Sequence, residues 1–234
     1  MSWHLGRLAG FDLETTGVDL NHDRIVTACV VQCGGGQPTA SATWLADPGI
    51  EIPEQAAQVH GITTDEARAK GRPAAEVVAE ILAALGQVIT SGIPVVAMNA
   101  RFDLTILDRE ARRYGLDPLP DGFPVVDPYV LDKAYDRYRR GSRKLVDLCT
   151  HYEVPIGDAH TADADAIAAC RVAWRLGQRF PQLAQYEPHE LHAAQKHWAA
   201  DQAVGLQRYL RKSDPTAHCP TDWPLVPHQQ NGAR

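Results

Sequence analysis

Two periods of hydrophobic residues alternate along the chain and predict its layout. Leu8 to Glu14 reads as a strand, whose successive side chains point to opposite faces. Arg24 to Gln32, β-branched and apolar, reads as a second strand, Gly34-Gly35-Gly36 as a turn, and Thr39 to Leu45 as a return strand. Together they predict an antiparallel meander. Period 3.6 then takes over. Ile52 to Gln58 predicts a short helix, and Thr63 with Glu66 has the spacing of a capping box before another. Pro73 to Ile89 carries Val77, Ile81, Leu85 and Val88 as one buried stripe. Ile93 to Met98 reads as a buried strand, Asp103 to Tyr114 as a helix with Leu104, Leu107 and Ala111 inward, and Val125-Val126 as a brief strand. Helices follow over Pro128 to Tyr135, Leu145 to Tyr152 and Ala162 to Leu176. The expected fold is α/β, a mixed five-stranded sheet of three antiparallel strands plus parallel ones, flanked by helices. Pro181 marks the expected end of this domain (1–180). Residues 181–234 form a helix over Glu190 to Leu210 and an extended Pro-rich tail, a candidate docking element.

Composition narrows the class. A hydrophobic share of 44% and a charged share of 22% describe a globular chain with one substantial core. No apolar run reaches membrane-spanning length and no signal pattern opens the chain, so no membrane association is expected. The five cysteines lack Cys-x-x-Cys spacing, which disfavours zinc and fits a reduced, cytoplasmic setting. The net charge of −6 argues against a protein that coats nucleic acid non-specifically. Basic residues are nevertheless concentrated: Lys133, Arg137, Arg139, Arg140, Arg143 and Lys144 share one stretch, either a solvated face or a phosphate-binding one.

Three clusters carry candidate chemistry. In Gly10-Phe11-Asp12-Leu13-Glu14-Thr15-Thr16-Gly17, Asp12 and Glu14 share one face of a strand while Leu13 takes the other. Two like charges this close repel unless a cation lies between them, and hard oxygen ligands suit Mg²⁺ or Mn²⁺. A solvated Asp-x-Glu on a strand edge is the plainer alternative. Asn99-Ala100-Arg101-Phe102-Asp103 follows a buried strand and places Asp103 at a helix start, as ligand or as cap. His160-Thr161-Ala162-Asp163-Ala164-Asp165-Ala166 opens a late helix, with Asp165 facing inward and His160 on the preceding loop, catalytic or capping. Asp163 lies about 200° around the helix from Asp165 and reads as a cap or solvated side chain.

In this order, Asp12-x-Glu14-Thr15-Thr16-Gly17, Asn99-x-x-Phe102-Asp103 and His160-x-Ala162-x-x-Asp165-Ala166 resemble the three exonuclease motifs of the DEDD family. The histidine marks the subclass of the proofreading epsilon subunit of bacterial DNA polymerase III, oligoribonuclease and ribonuclease T. Val59-His60-Gly61-Ile62 resembles a segment common in epsilon-like members, and the likeness covers about residues 7 to 180. It implies a ribonuclease H-like fold. It also implies 3′–5′ exonuclease activity on single-stranded nucleic acid, DNA first and RNA as the alternative, with a DNA polymerase as a candidate partner. Carried over residue by residue, Asp12, Glu14, Asp103 and Asp165 would hold two Mg²⁺ or Mn²⁺ ions, and His160 would take the proton of the attacking water. An imidazole with a pKa of about 6.5 suits that role near neutral pH. Thr15, Thr16 and the main chain at Leu13 would meet the terminal nucleotide, and Asn99 and His60 a sugar or phosphate. His60 is alternatively a structural helix-end residue. Phe102 either wedges against a base or packs in the core, and the basic stretch, through Arg143 and Lys144, would meet substrate phosphates.

Competing readings explain less. A haloacid-dehalogenase-like phosphatase would account for Asp12-x-Glu14-Thr15 but not for His160 or the Asn99–Asp103 cluster. A non-catalytic polymerase-associated subunit would not need every catalytic position filled.

Overall fold

The computed structural model describes residues 2–157 and 161–228. Its centre is the expected meander, β1 (Arg7–Thr15), β2 (Ile25–Gly34) and β3 (Ala40–Asp47), with Asp12 opposite Cys29 and Thr27 opposite Leu45. β5 (Val95–Val96) adds parallel to β1 and β6 (Val125–Val126) parallel to β5. The sheet is six-stranded rather than five, in the order β4-β3-β2-β1-β5-β6. The extra strand, β4 (Arg72–Pro73), pairs parallel with β3 through two residues. A two-residue edge strand ending in proline has no periodicity to reveal it. β5 is shorter than the expected 93–98 for a local reason. Pro94 has no N–H to give the ladder, and Asn99 turns the chain at a φ of 59°.

Helices cover both faces. On one side α3 (Ala74–Thr90) and α4 (Arg101–Arg113) pack against the odd-numbered side chains of β1, namely Ala9, Phe11 and Leu13. The stripe Val77, Ile81, Leu85 and Val88 is fully buried there. On the other side lie α5 (Pro128–Tyr135), α6 (Leu145–His151) and α7 (Ala162–Arg179), whose core includes Leu8, Leu148, Cys170 and Leu176. Two short helices, α1 (Glu54–His60) and α2 (Thr64–Lys70), sit by β3, the second capped by the Thr63 hydroxyl accepting the Glu66 N–H.

The last helix, α8 (Pro188–Leu210), runs along α5 and β6. It gives Leu191 to one core and Ala199 to the other, and Trp223 beyond it is buried in the α4 core. Among the described residues, no helix is long and apolar enough to cross a membrane.

Candidate active site

Strand geometry places the first two carboxylates. The even-numbered residues of β1 face α7, so Asp12 and Glu14 point there while Leu13 is buried among α3 and α4. Gly10 decides how closely α7 can approach. A Cβ at Gly10 would collide with the Ala166 carbonyl oxygen and lie 2.9 Å from the Cys170 Sγ. With glycine on β1 and Ala162, Ala166 and Ala169 on α7, the two backbones close together. That brings Asp165, in the first turn of α7, against the strand. One carboxylate oxygen each from Asp12, Glu14 and Asp165 lies within 4.8 Å of the others.

Asp103 arrives from the other side of the sheet. It is buried in the first turn of α4, and its Oδ1 accepts the Leu13 N–H at 3.1 Å, so it is tied to the residue between Asp12 and Glu14. The sequence had not flagged what holds it there. Asp127, N-cap of α5 and 1% exposed, accepts N–H groups from Asn99 and Ala100 at 3.0 Å, from Tyr129 at 3.0 Å, and from Trp223 Nε1 at 3.2 Å. Its own N–H goes to Gln195 Oε1 of α8 at 2.8 Å. This set fixes the turn that launches α4. The Asp-Pro pair ahead of an apolar helix was the available signal for a cap.

The electrostatics of the cluster are those of crowded acids. Burial, then the charge of Asp165, pushes Glu14 up to about 7. Asp12 is held well above the carboxylate range, by burial first and then by Asp103, Asp165 and Glu14. Burial also raises Asp103, against the stabilising N–H of Leu13. Such a set gains most from a divalent cation, and it offers only hard oxygen donors. The residues fit a divalent metal ion.

The other expected site residues divide. His60 ends α1 with Nδ1 accepting the Ile62 N–H at 3.2 Å, and its Nε2 is buried. Burial lowers its pKa and the main chain of Thr15 opposes that, so the ring stands beside the end of β1. The Thr15 hydroxyl donates to the Gly17 carbonyl at 2.6 Å and that of Thr16 to Asp23 at 2.7 Å, which pins the loop after β1. Asn99 is exposed at the start of α4, and Phe102 is half-buried against the α4 core. Asp163 is exposed. Arg143 donates to the buried Asp132 at 2.6 Å, where Arg139 joins it at 3.2 Å, and Lys144 is exposed ahead of α6. Among the described residues, no ion pair links Arg143 or Lys144 to the acidic cluster. His160 lies outside the described residues.

Known proteins share this arrangement of sequence and fold. The chain is 29% identical over 168 residues to the PolC-type DNA polymerase III of Halalkalibacterium halodurans, covering 71% of this chain and 11% of that one. It is 30% identical over 157 residues to the DNA polymerase III subunit epsilon of Treponema pallidum, covering 67% and 69%. It thus spans about a tenth of the PolC-type relative. A solved structure of E. coli exonuclease I in complex with a dA16 oligonucleotide superimposes with a TM-score of 0.65 at 23% identity, over 77% of this chain and 42% of that one. That likeness is one of fold, a ribonuclease H-like sheet flanked by helices. The Exonuclease family model (RNase_T) matches residues 9–173, a span that contains Asp12, Glu14, Asp103 and Asp165 and most of the chain, and by that match the chain belongs to this family.

Proposed function

We propose that the chain is a metal-dependent 3′–5′ exonuclease that removes nucleotides from the 3′ end of single-stranded DNA. The observation that carries this is the meeting of Asp12, Glu14 and Asp165 oxygens within 4.8 Å, with Asp103 tied to the same strand. These four carboxylates would hold two Mg²⁺ or Mn²⁺ ions. Bound there, such ions supply charge for the entering and leaving oxygens of an in-line phosphodiester displacement.

The chain's own residues do the rest. The Leu13 N–H holds Asp103 in register with β1, and α7, seated against Gly10, sets Asp165. His160, on the segment leading into α7, would accept the proton of the attacking water, since imidazole titrates near neutral pH. Thr15, Thr16, the Leu13 main chain, His60, Asn99 and Phe102 would receive the terminal nucleotide. Lys144, exposed ahead of α6, would approach the strand beyond it, while Arg143 is held by Asp132.

DNA is the favoured substrate because the relatives are DNA polymerase III proteins and because exonuclease I was solved with a DNA oligonucleotide. The same relatives make a DNA polymerase the expected partner. Free cysteines, five in all, fit a reducing cytoplasmic setting. The test is digestion of 5′-labelled DNA and RNA oligonucleotides, paired and mispaired at the 3′ end, with Mn²⁺, Mg²⁺ or EDTA. A ladder shortening from the 3′ end only with metal is expected, faster on DNA. Metal-independent or 5′-directed cleavage overturns the proposal.

A further inference from the structure

Residues beyond the family match build one wall of a cleft beside the acidic cluster. α8 and the segment 218–223 face Asn99, Arg101, Tyr129 and Lys133 across a space of about 220 Å³. β1, β5 and β6 are adjacent and parallel, so their carboxyl ends share one edge of the sheet. The acidic cluster stands over the first of these ends, and the cleft lies over the second and third, where Asn99 and Asp127 follow the strands. Two strand spacings amount to about 10 Å. A strand whose 3′ end lies at the cluster would reach the cleft within about three nucleotides.

The chemistry of the cleft suits such a strand. In this chain of net charge −6, Arg72 pairs with Glu76 and Glu80, Arg112 with Asp108, and Arg139 and Arg143 with Asp132. Among the described residues neither Arg101 nor Lys133 takes part in such a pair. Arg101 Nε is buried with no hydrogen-bond partner. Lys133 Nζ donates to the Tyr129 hydroxyl at 3.2 Å and stands 4.8 Å from the centre of that ring. The one carboxylate in the wall, Asp127, is turned toward its four N–H donors. An aromatic ring and two cations without a carboxylate partner among the described residues, lining one cleft, is a composition that holds single-stranded nucleic acid without reading its sequence. The space is also smaller than an enclosed small-molecule pocket, which suits a chain passing across it.

We infer that this cleft binds the substrate strand 5′ of the scissile bond, with Arg101 and Lys133 on phosphate and Tyr129 against a base or sugar. The inference rests on the exonuclease reading above and adds a subsite to it. Binding of fluorescein-labelled dT8 to the full chain in EDTA, followed by anisotropy across a salt series, tests it without turnover. Arg101→Ala with Lys133→Ala is expected to weaken binding by roughly 10-fold and to flatten the slope of log Kd against log salt by about 1.4, for two contacts at ~0.7 each on a single strand. Arg101→Lys with Lys133→Arg is expected to restore most of the affinity. Arg68→Ala with Lys70→Ala removes equal charge from α2, at the opposite edge of the sheet, and is expected to change binding much less. Equal Kd for wild type and the Arg101/Lys133 alanine variant overturns the inference. So does equal weakening by the α2 variant, or no binding of dT8 by wild type. Adding Mn²⁺ separates the two ideas. Cleft-dependent binding without shortening of dT8 removes the nuclease and keeps the subsite. Shortening with an unaltered KM in the double alanine variant removes the subsite and keeps the nuclease.

Discussion

Asp127→Asn is the substitution whose consequence follows most directly from geometry. Oδ1 accepts two N–H groups, from Asn99 and Tyr129, and Oδ2 accepts two more, from Ala100 and Trp223. An asparagine of nearly the same shape has one oxygen and one NH₂ group. Whichever way the amide is turned, its NH₂ meets two N–H donors and both lose their acceptor. Each buried donor left without one costs roughly 1–3 kcal/mol. Against this, burial already penalises the charge, as the raised pKa of Asp127 shows, so losing it recovers part of the cost. The net expectation is a loss of about 2–4 kcal/mol. At ~2–4 °C per kcal/mol for a chain of this size, the Tm should fall by roughly 5–15 °C.

The same change should reach the chemistry. Either Asn99 or Ala100 would lose its acceptor, and Asp103 lies within four residues of both. A displacement of about 1 Å at a reacting centre can cost on the order of 100-fold in rate. Exonuclease kcat well below the Tm is therefore expected to drop by about 10- to 100-fold. Trp223→Phe removes only the longest of the four bonds and should cost ~1 kcal/mol, with less than additive loss in the double variant. Urea titrations of the three variants measure both values. An Asp127→Asn stability within about 0.5 kcal/mol of wild type would refute the four-donor account.

Asp165→Asn should abolish metal-dependent hydrolysis while raising the Tm in EDTA by a few degrees, because it removes one of the mutually repelling charges; the Tm gain on adding Mn²⁺ should shrink as well. Gly10→Ala forces β1 from the Ala166 carbonyl and should cost roughly 1–3 kcal/mol, with activity falling more than stability because Asp165 moves too; a fully active variant of unchanged Tm would refute this packing. His192 accepts the Val125 N–H at 3.2 Å, and burial lowers its pKa to about 4, so it is neutral in the fold. The unfolded chain, with a pKa of about 6.5, binds the proton first; stability is therefore full above pH 6.5 and lost as pH falls toward 4, by about 2 kcal/mol at pH 5. Urea midpoints at pH 7 and pH 5 for wild type and His192→Gln check this, the variant being expected to lose less.

How much of this was legible depended on whether a feature is local. The pairing of Asp12 with Glu14 follows from a period of two, and the inward stripe of α3 from a period of 3.6, so both can be read without knowing any partner. β4 cannot, because two residues carry no period. The positive stretch at 133–144 was visible as charge, but charge does not name its partner. Arg139 and Arg143 turn to Asp132, on the buried face of α5, while Lys133 stays over Tyr129. Asp127 was the hardest to see. Its role needs Asn99, 28 residues before it, and Trp223, 96 residues after it.

These cases share a physical cause that also explains the shape of the site. Burial first, and then the neighbouring charges, raise Asp12, Glu14 and Asp103 and oppose folding, so something outside the cluster must hold the acids in place. Gly10 removes a side chain so that α7 can press Asp165 inward. The Leu13 N–H bonds to Asp103. Asp127, braced by Gln195 and Trp223 from the C-terminal segment, fixes the turn before α4. None of these supports is itself a candidate ligand. A cluster held this way keeps like charges close together, and a divalent cation between them would relieve that repulsion.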